Sequence, residues 1–310
     1  MKKITNLNDP SILLIIRSAW NKNLNTLPLR ESLKEIYFNA QYSHFLANNC
    51  LFNIANPITL NDKIQWTKFF DQSYDVVKCT DKIKVKEYAR EKLGKDICAK
   101  IYQKEKNIES IDLDTLPNSF VIKTNHDSGT TFIVQNKKQF SFQKTFEKIK
   151  KSLLKTYGQK DGEWSYSMFT PLVFVEEYLT DENNKYAQDY KFFCGKGKVF
   201  FCHYIYDREK DTKEQIISKE GKPTKYYLDP NFKKGNNFNK PKSWNEMVEI
   251  ASQLSEPFKL VRIDLYSINE KVYLGEITFW PYAGRYKGED QKEISELVTL
   301  DTSTTLEPIS

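Results

Sequence analysis

The sequence predicts an α+β protein with a helical N-terminal region, and three observations carry that prediction. Apolar residues recur at helical spacing from about residue 10 to 75, runs that alternate with period 2 appear from about residue 119 onward, and short polar turns join several of those runs as hairpins. With 310 residues, 14% of them aromatic, and only 11 glycines, the chain can bury one large core or two to three small ones and does not have a disordered composition.

The elements follow in order. Ile12-Leu13-Leu14-Ile15-Ile16, ended by Arg17, is too short for a membrane span and lacks a signal-peptide cleavage pattern, so it reads as a buried helix turn. Leu33, Ile36 and Tyr37, then Ile64, Trp66, Phe69 and Phe70, supply apolar positions on successive helices. A further helix opens at Thr80-Asp81, either of which suits the N-cap, and runs to about Leu93 with Gly94 where a C-cap belongs. Lys82 then sits in its first turn, where a cation opposes the macrodipole and suggests a nearby anion.

Residues 119–123 form a strand, residues 132–134 a second, and Lys123-Thr124-Asn125-His126-Asp127-Ser128-Gly129-Thr130-Thr131 lies between them. Its backbone N–H groups and hydroxyls could cover a phosphate, although GxxxxGK[ST] is absent and an ordinary polar turn is the alternative. A Lys-rich amphipathic helix follows near residues 142–157. Residues 172–179 are a buried strand running into Glu176 and Glu177, an acidic segment at residues 180–185 separates it from a strand at 189–194, and Gly195-Lys196-Gly197 turns that strand into residues 199–205. Residues 223–241 read as an irregular basic loop, 244–254 as a helix and 301–310 as a frayed tail.

The last hairpin carries most information. In Val261-Arg262-Ile263-Asp264-Leu265-Tyr266 the two charged residues share a face, as do Glu276 and Thr278 in Val272-Tyr273-Leu274-Gly275-Glu276-Ile277-Thr278, so pairing can set two carboxylates against one guanidinium. Burying an unpaired carboxylate costs about 2 kcal/mol or more. A divalent cation carrying phosphate would satisfy both acids; a salt-bridge cluster on an exposed hairpin face is the other reading.

The net charge of +6 is spread over Lys-rich helices without a block of nucleic-acid-tail size, which points away from nucleic acid and only weakly toward anionic ligands. Five cysteines, an odd number with no CxxC spacing, argue against both a disulfide framework and a zinc site and fit the reducing cytoplasm.

Taken together, TDKIKVKEYA, FVIKTNHDSG, the strand ending in Glu-Glu-x-Leu, DYKFF, VRIDLY and LGEITFWP resemble, in order and spacing, the TupA-like branch of the ATP-grasp superfamily, over roughly residues 55 to 290. That resemblance implies two α+β subdomains clasping ATP, at residues 78–175 and 176–310, behind a helical region at 1–77. It implies that Lys82 and Lys123 neutralise nucleotide phosphates under a flap containing Ser128 and Gly129. Glu176, Glu177 and Leu179 match the hinge that reads adenine, and Asp189 falls where an acid meets the ribose. Asp264 and Glu276 match magnesium ligands, with Thr278 standing where many relatives have Asn. Arg262, left free once metal occupies Asp264, matches the cation facing the carboxylate being phosphorylated.

The implied reaction is ATP- and magnesium-dependent ligation of a carboxylate to an amine through an acyl phosphate, with manganese as a possible substitute metal, on a uronic-acid-containing sugar or peptide adornment of a surface polysaccharide. Lys191, on the strand face of Asp189, is a further candidate for contact with phosphate or substrate carboxylate. His126 is a candidate for taking the proton of the attacking amine, against the alternative of a loop histidine bonding its own turn. Arg285 could bind an acidic sugar, and Trp164, Tyr166, Trp280 and Tyr282 suit stacking on sugars or simple packing. Glycosyl transfer from a nucleotide sugar, with Asp264 and Glu276 holding metal and diphosphate, is the rival function; the lysine pair and the lack of a clear DxD favour ATP.

Overall fold

The computed structural model describes residues 10–180, 188–208 and 211–303. Most of the acidic segment at 180–185 and of the tail at 301–310 therefore lies outside the described residues.

Helices α1 (Pro10–Thr26), α2 (Lys34–Asn48) and α3 (Leu60–Phe70) pack around Trp20, Tyr37, Phe52, Trp66 and Phe69. A reciprocal capping box, Thr59 with Asp62, fixes the start of α3. Ile12 and Ile16, four residues apart, are buried, but Leu13, Leu14 and Ile15 are 46%, 65% and 50% exposed. Five consecutive apolar residues span more of a helix than one face can hide, so only part of that run is core. No helix among the described residues is long and apolar enough to cross a membrane.

Helix α4 (Tyr74–Thr80) ends where the sequence starts a helix, and α5 (Lys84–Leu93) begins four residues later. Asp81 caps α5, its Oδ1 accepting from the N–H of Ile83 at 2.8 Å and Lys84 at 3.4 Å, and Gly94 closes it in the left-handed region. Lys82 thus lies in the turn between two helices and not inside a first turn.

Strands β1 (Ile101–Glu105), β2 (Phe120–Thr124), β3 (Thr131–Val134) and β4 (Val173–Glu176) form an antiparallel sheet in the order β1-β4-β2-β3, with α6 (Phe142–Leu153) near β2. A second sheet runs β10-β9-β5-β6-β7-β8, from β5 (Asp189–Gly195), β6 (Lys198–Tyr206), β7 (Lys213–Ser218), the two-residue β8 (Lys233–Lys234), β9 (Val261–Ile268) and β10 (Lys271–Thr278). Helix α7 (Trp244–Ser255) presents Trp244, Met247, Ile250 and Leu254 to one face of this sheet, and the Trp244 ring lies 5.3 Å from Phe192 and 6.3 Å from Tyr190. The short α8 (Gln291–Glu296) docks on α3.

Because side chains alternate across a strand, covering Tyr190, Phe192, Cys202, Tyr204, Ile263 and Leu265 leaves Asp189, Lys191, His203, Arg262 and Asp264 on the opposite face. Glu276 joins them through a bulge. Leu274 pairs with Leu265 and Glu276 with Asp264, so Gly275 is the extra residue. Were Gly275 instead paired in regular register opposite Asp264, Glu276 would fall opposite Ile263 and point into the α7 core. A Cβ on Gly275 would come within 2.7 Å of the Tyr266 ring, which explains why glycine stands there.

Candidate active site

Register sets four polar side chains in one row across the larger sheet: Glu276 opposite Asp264, Asp264 opposite Lys191, and Lys191 opposite His203. Arg262 grips Asp264 with two nitrogens, Nε to Oδ1 at 2.6 Å and Nη2 to Oδ2 at 2.8 Å. Its Nη2 also donates to Glu276 Oε1 at 3.0 Å and Thr278 Oγ1 at 3.1 Å, and Thr278 donates to Glu276 Oε1 at 3.0 Å. Lys191 donates to Asp264 Oδ2, so both Asp264 oxygens are taken. Asp189 accepts from Arg208 Nε at 2.5 Å and lies 3.7 Å from Lys191.

The two carboxylates at the centre differ. Burial pushes the Asp264 carboxyl above its ordinary range against the pull of Arg262 and Lys191. The side chain of Glu276 is 41% exposed to the cleft. What dehydration it suffers is outweighed by Arg262, Lys191 and Lys82, which bring its carboxyl down to about 2. An ionised, partly open carboxylate beside a closed one is suited to take up a cation.

The smaller sheet presents another charge cluster. Glu176 ends β4, and Lys123, a diagonal neighbour on β2, forms an ion pair with it. Lys86 of α5 binds the second oxygen of Glu176 at 2.7 Å and Ala99 O at 2.6 Å. Glu177, which also lines the larger cavity, accepts from Lys100 N–H at 3.3 Å. The loop after β2 is organised by Asp127, whose carboxylate accepts from the hydroxyls of Thr124, Thr130 and Ser152 and whose carbonyl accepts from Lys82 Nζ. Ser128 and Gly129 form its exposed tip, with Gly129 at φ +98°.

Two cavities meet between the sheets. A cavity of about 640 Å³ is walled by Val121, Ile133, Leu179 and Leu274 on its apolar side and by Lys123, Glu176, Glu177, Asp189 and Asp264 on its polar side. That volume is within the usual range for small-molecule sites. A second, of about 350 Å³, is lined by Asp127, Tyr157, Glu163, Tyr166, Arg262, Thr278 and Arg285 among others. Lys82, Lys191, Arg208 and Glu276 line both and so form their common wall.

A profile of the family described as TupA-like ATPgrasp matches residues 62–298. The chain belongs to the TupA-like ATP-grasp family. No curated protein matches it. Among solved structures it is similar to a D-alanine--D-alanine ligase from Bacillus anthracis complexed with ATP, at 13% identity and TM-score 0.40, over 71% of this chain and 63% of that one. It is also similar to an L-amino acid ligase from Bacillus licheniformis, at 12% identity and TM-score 0.43, over 89% of this chain and 57% of that one. The chain thus spans less than two thirds of the length of either ligase.

Within this ATP-grasp chain the donor set can be tested against magnesium. Asp264, Glu276 and Thr278 offer hard oxygens only, and magnesium commonly takes one or two carboxylates with phosphate and water completing its shell. The residues fit that ion, although Arg262 and Lys191 already occupy three of the Asp264 acceptor positions. Among the described residues no group of three or more His, Cys, Asp or Glu side chains could hold a metal.

The structure brings Lys82, Lys123, Glu176, Glu177, Leu179, Asp189, Lys191, Asp264 and Glu276 to the larger cavity, and Ser128, Arg262 and Thr278 to the smaller. It does not bring His126. That ring is 1% exposed, bonds Ser152 O through Nε2 at 3.1 Å, and lines neither cavity, because the Asp127 turn directs it under α6. The guanidinium of Arg262 is committed to Asp264 and not free. Sequence reasoning missed Lys86, Asp127, Arg208, His203 and Glu163. Of these only Lys86, four residues after Lys82 on a helix that already carried the lysine signal, left a trace that could have been followed.

Proposed function

We propose that the chain is an ADP-forming, ATP- and magnesium-dependent carboxylate–amine ligase working through an acyl phosphate. The observation that carries this reading is the common wall: Lys82, Lys191, Arg208 and Glu276 separate a nucleotide-sized cavity from a smaller polar one. A phosphoryl group handed across that wall passes from one occupant to the other beside the three cations Lys82, Lys191 and Arg208. Phosphoryl transfer needs positioning and charge neutralisation more than a covalent nucleophile, and that is what these residue types offer.

In this reading residues 78–175 and 176–310 are the clasping subdomains and 1–77 the helical region behind them. Adenine lies against Val121, Ile133 and Leu274, read by the backbone at Glu177 and Leu179 beside Glu176, with Asp189 toward the ribose. Lys82 and Lys123 hold phosphates below the Ser128-Gly129 tip, and Lys191 steadies phosphate or substrate carboxylate. Asp264, Glu276 and Thr278 hold magnesium, which when bound offsets phosphate charge; manganese offers the same chemistry. Arg262 exchanges one Asp264 oxygen for the reacting carboxylate. Arg285 and the rings of Tyr166, Trp280 and Tyr282 in the smaller cavity support a sugar acid as the carboxylate partner, in keeping with polysaccharide adornment.

A nucleotide and acceptor screen tests this. Mg–ATP at a hundredfold excess over Kd stabilises a binding protein by about 2.7 kcal/mol, and ADP release should require both a uronic acid and an amine. Stabilisation by UDP-sugars with none by ATP analogues, together with UDP release, would replace the ligase by a glycosyltransferase.

A further inference from the structure

The row on the larger sheet continues past Lys191 to His203, one of three histidines in the chain. His203 is buried at 0% exposure, and its Nε2 lies 2.5 Å from Glu214 Oε2 on β7. The other Glu214 oxygen accepts from two backbone N–H groups, Leu228 at 3.0 Å and Asp229 at 2.8 Å. A carboxylate held this way has only acceptors to offer, so the imidazole proton sits on Nε2. Nδ1 is then a bare lone pair. It is buried and has no hydrogen-bond partner, and the residue lines the smaller cavity, on the same side as Arg262 and Thr278. Leaving a buried acceptor unsatisfied is unfavourable, and that cost is recovered when a donor arrives. The groups around the ring are Lys191 on the neighbouring strand, Glu214 on the other, and Tyr286, whose ring lies 6.4 Å away.

We propose that His203, oriented by Glu214, is the base that takes the proton from the incoming amine in the smaller cavity. This role rests on the ligase reading above. The amine arrives as R–NH3+ and cannot attack while protonated. One proton passes to Nδ1, and Glu214 stabilises the resulting imidazolium, the division of labour of a carboxylate–histidine pair. The amine nitrogen then bonds to the acyl carbon, the bond from that carbon to the phosphate oxygen breaks, and phosphate leaves with its electron pair. The second nitrogen proton leaves with the phosphate, giving amide and HPO4 2−. His203 returns its proton to solvent.

Hydroxylamine separates this step from the one before it, because it is largely unprotonated near neutral pH and captures an acyl phosphate without a base. The probes are ATP, magnesium and D-glucuronate or D-galacturonate, with either hydroxylamine or a panel of amino acids as nucleophile. His203→Gln should keep hydroxamate formation within about threefold of the parent and lose on the order of 100-fold in amide formation, the lower range of a general base. Glu214→Gln should lose amide formation to a similar extent, since its amide N–H donates to Nε2, moves the imidazole proton onto Nδ1 and leaves that nitrogen no lone pair to take the amine's proton. It keeps an oxygen for Leu228 and Asp229, so it serves as the test if His203→Gln does not fold. Equal loss of hydroxamate and amide in a variant still stabilised by Mg–ATP would overturn the assignment, as would undiminished amide formation. A parent protein that makes no hydroxamate at all overturns the ligase reading itself, and this role with it.

Discussion

On the four-stranded sheet one buried carboxylate, Glu176, is matched by two lysines, and the cluster is closed; on the six-stranded sheet Asp264 is closed in the same way while Glu276 stays partly open and His203 keeps an unpaired nitrogen. Closed clusters hold geometry, because removing one partner strands the other in a low-dielectric setting. Open ones have capacity left for a ligand. In the proposed function this difference corresponds to binding and orientation on the smaller sheet and chemistry on the larger.

The sharpest way to break that comparison is Glu276→Gln, which keeps size and removes the charge meant for magnesium. Turnover should fall on the order of 1000-fold with the fold retained at neutral pH; near-normal turnover in saturating magnesium would make this carboxylate structural. Arg262→Lys comes next. Lysine keeps charge but lacks the fork that spans two oxygens of Asp264 or of a substrate. Turnover should drop on the order of 100-fold while Mg–ATP binding, followed by isothermal titration, stays within a few-fold.

Lys123→Met, on the smaller sheet, should weaken ATP binding by about tenfold, the scale of one charge-assisted hydrogen bond. Its turnover at saturating ATP should change less than in either variant above. A larger kcat loss here than in Arg262→Lys would invert the comparison. The smallest effect is in the pH dependence of stability. Burial pushes the Glu176 carboxyl up, but Lys123 and Lys86 outweigh it and hold it below its ordinary value of 4.5. A depressed carboxyl contributes stability that is present above its unfolded value and is lost as the pH falls through the folded one. The gap in urea midpoint between the parent and Glu176→Gln should therefore narrow as the solution is taken below about pH 4.5, and a gap that widens in acid would contradict the pairing.

Much of this was legible in the sequence, for physical reasons that can be named. Period-2 alternation in residues 261–266 puts Arg262 and Asp264 on one face whatever else the fold does, and it held. So did the Gly94 cap and the helix after Ser243. The start of α5 was displaced because Asp81 caps it from outside while α4 reaches Thr80, and no propensity distinguishes those two uses of the TD pair. His126 misled for a related reason: Asp127, collected by three hydroxyls, decides which way the loop faces, and one of those hydroxyls is Ser152, far along the chain. His203 and Glu214 look like ordinary strand residues until two β-strands pair in register. The Gly275 bulge is similar, since glycine in a strand pattern only hints at a bulge, and here it decides which face Glu276 occupies.

The central claim, that a phosphoryl group crosses the wall shared by the two cavities to reach a carboxylate, is tested most directly by positional isotope exchange in ATP carrying a heavy-oxygen label at the β,γ-bridge. With magnesium and D-glucuronate or D-galacturonate but no amine, the account predicts that the label scrambles into the non-bridging β-positions only when the sugar acid is present, and that Glu276→Gln abolishes the exchange. Amide formation without any exchange, or exchange that ignores both the carboxylate and Glu276, would contradict it.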